Sequence, residues 1–107
     1  MWKPFEEGRS IGTNGSEQGT IILDDEHSDG ARITLEKECR GTPFAVTCGV
    51  YGWMVHTCFF ATEDIARRTY AAMKEALSAM LARFGSDPDI DLVADLCEDF
   101  MERFGYF

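Results

Sequence analysis

Two groups of residues have the types and spacing to do chemistry. The first is DEHSDGARITLE, residues 25 to 36, which approximates a calcium loop: acids at Asp25 and Asp29, Gly30 at the sharp-turn position, and Glu36 where a closing bidentate carboxylate belongs. The second is His56 with Cys58 two residues on, to which Glu36 adds a carboxylate. An imidazole near neutrality, an orienting acid and a thiol could supply base and nucleophile if strand pairing brought them together.

Both readings depend on the elements that carry them. ARITLEKE alternates, with Ala31, Ile33 and Leu35 on one side and Arg32, Thr34 and Glu36 on the other, and TIILDDE before it is β-branched. A period of two predicts strands. A calcium loop needs flanking helices to aim its oxygens inward, and here His27 takes the third ligand position. The expectation is therefore a hairpin turn at Ser28-Asp29-Gly30, with no metal held by Asp25, Asp29 and Glu36. That turn pairs His27 with Ala31, Asp25 with Ile33, Leu23 with Leu35 and Ile22 with Glu36. Turns at Arg40-Gly41 and Tyr51-Gly52 extend the register, pairing Ile33 with Cys48, then Val50 with Trp53, Cys48 with Val55 and Phe44 with Phe59.

Helical periodicity follows. Thr62 is a cap before Ile65, Thr69, Met73, Leu77, Met80, Leu81 and Phe84, and Asp87-Pro88 restarts a helix whose seam is Leu92, Val93, Leu96, Cys97, Phe100, Met101 and Phe104. The predicted fold is α+β in two layers: a four-stranded antiparallel meander over about residues 20–60, with helices over about 63–84 and 88–104 packed on one face. The chain reads as one domain, with residues 1–19 as a glycine-rich N-terminal loop, 20–60 as the meander and 62–107 as the helices. At 107 residues there is room for one core.

In this register the sheet face turned away from the helices carries Asp24, Glu26, Arg32, Thr34 and Glu36, then Ala45 and Thr47, then Met54, His56 and Cys58. That set is the candidate ligand or partner face, and His56, Cys58 and Glu36 are its catalytic candidates. No nucleophile elbow or oxyanion loop accompanies them, which favours a structural histidine over an enzyme. The loop GRSIGTNGSEQG lacks both phosphate-binding glycine patterns, so no cofactor is expected. Cys39, Cys48, Cys58 and Cys97 contain no C-x-x-C pair and read as structural thiols rather than zinc ligands.

Charge narrows the partners. A net charge of −9 disfavours nucleic acid and anionic membrane, and no apolar run is long enough to span a bilayer. The N-terminus MWKPFEEGRS has no export leader, so the expected location is cytoplasmic. Residues 87–107 hold seven acids against Arg103 alone. WMVHTCFF, residues 53–60, is an uncharged strand at the end of a meander, where an exposed edge invites pairing. Either the N-terminal segment, with Trp2 and Phe5, or a second copy of the chain should cover it. The expectation is a noncatalytic, homodimeric protein-interaction module. The alternatives are a small enzyme or ligand-binding protein using the His56 face, and an acidic, immunity-type antagonist of a basic protein.

Overall fold

The structure, a computed structural model, describes residues 1–105. The described residues form the strands β1 (Trp2–Pro4), β2 (Thr20–His27), β3 (Ala31–Cys39), β4 (Thr42–Val50) and β5 (Met54–Phe60), followed by the helices α1 (Glu63–Phe84) and α2 (Ile90–Arg103). The strands make one antiparallel sheet in the order β1-β2-β3-β4-β5. The predicted meander is therefore present, with a fifth strand added. β1 pairs Trp2 with His27 and Pro4 with Asp25, so it covers the β2 edge and leaves β5 at the other edge.

The first two hairpins follow the expected pairing. His27 faces Ala31, Asp25 faces Ile33, Leu23 faces Leu35, and Ile33 faces Cys48. Gly30 adopts a φ of 107° as the last residue of its three-residue turn, a conformation that an L side chain resists. One departure is a bulge between Ile21 and Leu23, which gives the position opposite Glu36 to Ile21 instead of Ile22. The third hairpin departs by a whole residue. Trp53 joins Tyr51 and Gly52 in the turn, its N–H donating to the Val50 carbonyl, and β5 pairs Val50 with Met54, Cys48 with His56 and Phe44 with Phe60. A one-residue slip exchanges the two faces of a strand.

Alternation places Ile33, Leu35, Val46, Cys48, Met54 and Cys58 on one sheet face, where they meet Met73, Leu77 and Leu81 of α1 and Val93, Cys97, Phe100 and Phe104 of or just after α2. Thr62 caps α1 as expected. The second cap is Asp89 rather than Asp87: its carboxylate accepts from the N–H groups of Asp91 and Leu92, and α2 begins at Ile90, two residues past Pro88. The α1 seam begins one residue later than its spacing suggested. Ala66 and Tyr70 are buried, whereas Ile65 is exposed. The Tyr70 hydroxyl donates to Asp25, and burial, then this hydrogen bond, raise its pKa well above the ordinary phenol value.

Between Pro4 and Arg9 the chain turns with Glu6 and Glu7 both at positive φ, 48° and 58°. Left-handed residues with a Cβ cost roughly 1–2 kcal/mol each. Glu7→Gly should therefore raise stability by up to about 1 kcal/mol, read as a higher denaturation midpoint at unchanged m-value.

His27 gives a pH dependence. Burial first, and the Met1 ammonium second, lower its pKa below the usual 6.5. The unfolded chain then binds the proton more readily, so this residue's contribution is complete above pH 6.5 and is lost as pH falls through the lower folded value. Denaturation between pH 7.5 and 5 should show stability falling, with a smaller fall in His27→Gln.

Candidate functional site

The face turned away from the helices divides into a covered half and an open half. Over β2 and β3, residues 5–19 fold back onto the sheet. Gly12 N–H donates to the Ile21 carbonyl and Ile21 N–H to the Thr13 carbonyl, fixing the loop along β2. Beneath it Asp24 is buried and fully bonded: Arg32 donates from Nε at 2.9 Å and Nη2 at 2.6 Å, Ser10 from its hydroxyl at 2.8 Å and Thr34 from its hydroxyl at 3.2 Å. The Phe5 ring lies 3.6 Å from the Arg32 guanidinium carbon, a cation–π contact that closes the cluster. The hydrogen bond to Asp24 raises the Arg32 pKa further.

Glu36 is fully buried under the same loop. Its carboxylate accepts from the backbone N–H of Glu17 at 3.1 Å and of Gly19 at 3.1 Å, doing for the loop what a strand partner would do. The loop approaches so closely that a Cβ on Gly15 would collide with the Glu36 side chain, and one on Gly19 would lie 2.6 Å from the Lys37 carbonyl oxygen. Gly19→Ala should therefore destabilise the fold by about 1–3 kcal/mol, with Cys39 and Lys37 resisting the intrusion. Thermal denaturation checks this.

The expected catalytic set does not assemble. Because β5 is offset by one residue, Met54, His56 and Cys58 point to the helices, while Glu36 occupies the opposite face. His56 Nε2 lies 3.2 Å from the Phe104 carbonyl oxygen, and the Cys58 thiol donates to that oxygen at 2.8 Å. Phe104 is the C-cap of α2, so both side chains meet the negative end of the helix dipole. Burial pushes the Cys58 thiol up to about 11, which keeps it protonated and non-nucleophilic near neutrality. Burial likewise raises Cys48 to about 12, and burial followed by the Glu36 and Glu17 charges raises Cys39 to about 11. All four cysteines are free.

The calcium-like acids are equally dispersed. Asp25 faces α1, where Tyr70 and Lys74 donate to it; Glu36 lies on the far side; Asp29 is an exposed turn residue near His27. A hairpin, not an inward-aimed loop, accounts for their spacing.

The open half lies over β4 and β5. Here the outward residues are Thr47, Gly49, Val55, Thr57 and Phe59, with the Thr47 and Thr57 hydroxyls 3.1 Å apart. Val55 is 76% exposed and Phe59 49%, far more than a sheet-core position permits. Beside them a trough of about 680 Å³ runs between the loop at Asn14–Ser16 and the hairpin tip at Tyr51–Trp53, with Thr34, Thr47 and Gly49 among its lining residues. The tip is held down: Tyr51 N–H donates to the Gly30 carbonyl, and its hydroxyl donates to Glu26 at 2.7 Å. Burial, then that bond, pushes the Tyr51 pKa up to about 12. Trp53 packs edge-on against Phe84.

Of the expected partner face, Asp24, Glu26, Arg32, Thr34, Glu36 and Thr47 are on the outer side, the first five engaged in or beside the loop cluster. Val55, Thr57 and Phe59 replace Met54, His56 and Cys58 there. β5 carries no Asp, Glu, Lys or Arg, and among the described residues no strand pairs with its far side. The N-terminal segment, one of the two expected covers for this edge, sits at the opposite edge as β1. No helix among the described residues is long and apolar enough to cross a membrane. Comparison with protein-family models, with curated proteins and with solved structures finds no match to this chain.

Proposed function

We propose that this protein is a noncatalytic, homodimeric interaction module that docks through the β5 edge. One observation carries the reading: the offset of the third hairpin turns Val55 and Phe59 outward on an uncharged strand at the end of the sheet. Backbone N–H and C=O groups on such an edge are a template for another strand, and the exposed apolar side chains add contact area beside it. The groups proposed for catalysis are otherwise engaged, Glu36 with loop amides and Cys58 with the α2 terminus.

Sedimentation velocity tests the reading. A dimer is expected at micromolar to high micromolar concentration, and Val55→Lys should shift it to monomer without changing the fold, because Val55 is already exposed. Dimerisation should also tighten as salt is added, since two copies of charge −9 repel and salt screens that repulsion. A wild-type monomer throughout that range would sink the proposal.

A second reading rests on α2. Asp91, Asp95, Glu98 and Glu102 are all exposed on that helix at spacings of four, three and four, and among the described residues none has an ion-pair partner. Such a stripe would steer a basic protein toward the helix. Reversing Asp95 and Glu98 to Lys should abolish binding to a basic partner while leaving the β5 dimer intact.

A further inference from the structure

We infer that the occupant of the β5 edge is a second copy of the chain, paired antiparallel about a two-fold axis at Thr57, so that Val55 of each protomer lies opposite Phe59 of the other. This rests on the edge-docking reading above and specifies its geometry. Three observations lead to it.

Edge supply comes first. The sheet has two ends, and the β1 end is three residues long and closes on Pro4, which has no N–H to donate. Head-to-tail addition of β5 to a neighbour's β1 is therefore poorly templated. Joining β5 to β5 consumes both long edges and leaves short, proline-bearing ends outside, a closed isologous dimer instead of a filament.

Register comes second. β5 is seven residues long and Thr57 is its middle residue, so an axis there pairs the strand along its full length. Val55 and Phe59 stand two residues to either side, on the same outer face as Thr57. Only this centre matches the two exposed apolar residues with each other, and symmetry makes the match twice. An axis at His56 would set Val55 against Thr57, and one at Cys58 would set Phe59 against Thr57. Cross-strand pairs of an aromatic with a β-branched residue are favourable on a sheet surface.

Charge comes third. Each copy carries −9, so two can approach closely only along a neutral strip. β5 is such a strip in any register, since it carries no Asp, Glu, Lys or Arg.

Charge exchange tests the register. In sedimentation equilibrium on the full chain, Val55→Lys and Phe59→Glu should each weaken the dimer by about tenfold or more, since each disrupts two symmetric pairs. The double variant V55K/F59E should recover most of the loss, because the ammonium introduced at position 55 of each copy would then face the carboxylate introduced at position 59 of the other, and added salt should erase that recovery. Both positions are solvent-exposed in the single chain, so circular dichroism and melting of the monomer should stay unchanged. If both single variants weaken the dimer and the double variant does not recover, the Thr57 axis is wrong while docking by β5 stands. If the single variants leave a wild-type dimer untouched, the seam lies elsewhere and both readings fall. A wild-type monomer at high micromolar concentration overturns both as well.

Discussion

Arg32→Ala is expected to cost about 3–5 kcal/mol of folding stability, because it leaves the carboxylate of Asp24 in the protein interior without its counter-charge. The Asp24 side chain has no exposed surface, whereas Arg32 retains 35%. That asymmetry sets an order: Asp24→Ala should cost less, since the guanidinium it abandons can rotate into water and no unpaired charge stays buried, although Ser10 and Thr34 each lose a charge-assisted hydrogen bond. Urea denaturation of both single variants and the double variant should give strong coupling, with the double variant costing less than the two singles combined. Equal or small losses, each under about 1 kcal/mol, would mean that the cluster behaves as a surface ion pair.

Glu36→Ala is expected to cost about 2–4 kcal/mol and to release the loop above it. Removing the carboxylate leaves the N–H groups of Glu17 and Gly19 without their acceptor and opens a void beneath Gly15. The loop lies at the surface, so water can reach those amides once it lifts, which holds the loss below that of a sealed core site. Amide exchange at Glu17 and Gly19 should rise toward unprotected rates while β3 and β4 keep their protection. Glu36→Gln retains one acceptor oxygen but presents an NH₂ group to the backbone donors, and should fall between Ala and wild type. Unchanged exchange in Glu36→Ala would show that the glycine-rich loop is held by its other contacts alone.

These two carboxylates also show what could be read in the amino-acid order and what could not. Alternation in ARITLEKE tells which side of the sheet Arg32, Thr34 and Glu36 occupy, and the turn at Ser28-Asp29-Gly30 pairs Arg32 with Glu26 and Thr34 with Asp24, so both carboxylates fall on the correct face even though the bulge gives Glu36 the partner Ile21. Their burial was not evident, because it comes from a loop whose path is set by contacts far along the chain. The clue was present in Gly15 and Gly19, small residues where a side chain would strike Glu36 or the β3 backbone. β1 carries no periodicity by which to read it, being three residues that end in proline.

The third hairpin takes a register offset by one residue for a different reason. Met54, Val55, Cys58, Phe59 and Phe60 supply apolar residues to both faces of β5, so the alternation that pins β3 is absent and two registers bury similar groups. The choice falls to the turn, where Trp53 leaves the strand to pack against Phe84. A tertiary contact with the end of α1 thus decides which side chains of β5 face outward. Its consequence is large. The histidine and Cys58 become struts for the end of α2, and Val55 and Phe59 become the exposed surface on which the proposed dimer rests.

Isotope-filtered NOE spectroscopy on a mixture of labelled and unlabelled protein addresses that surface most directly, because it reports only contacts between separate molecules. Cross-peaks from the Val55 methyls of one copy to the Phe59 ring of the other are expected. Intermolecular peaks arising from another face, or none at a concentration where the wild type is still a dimer, would contradict β5 as the seam.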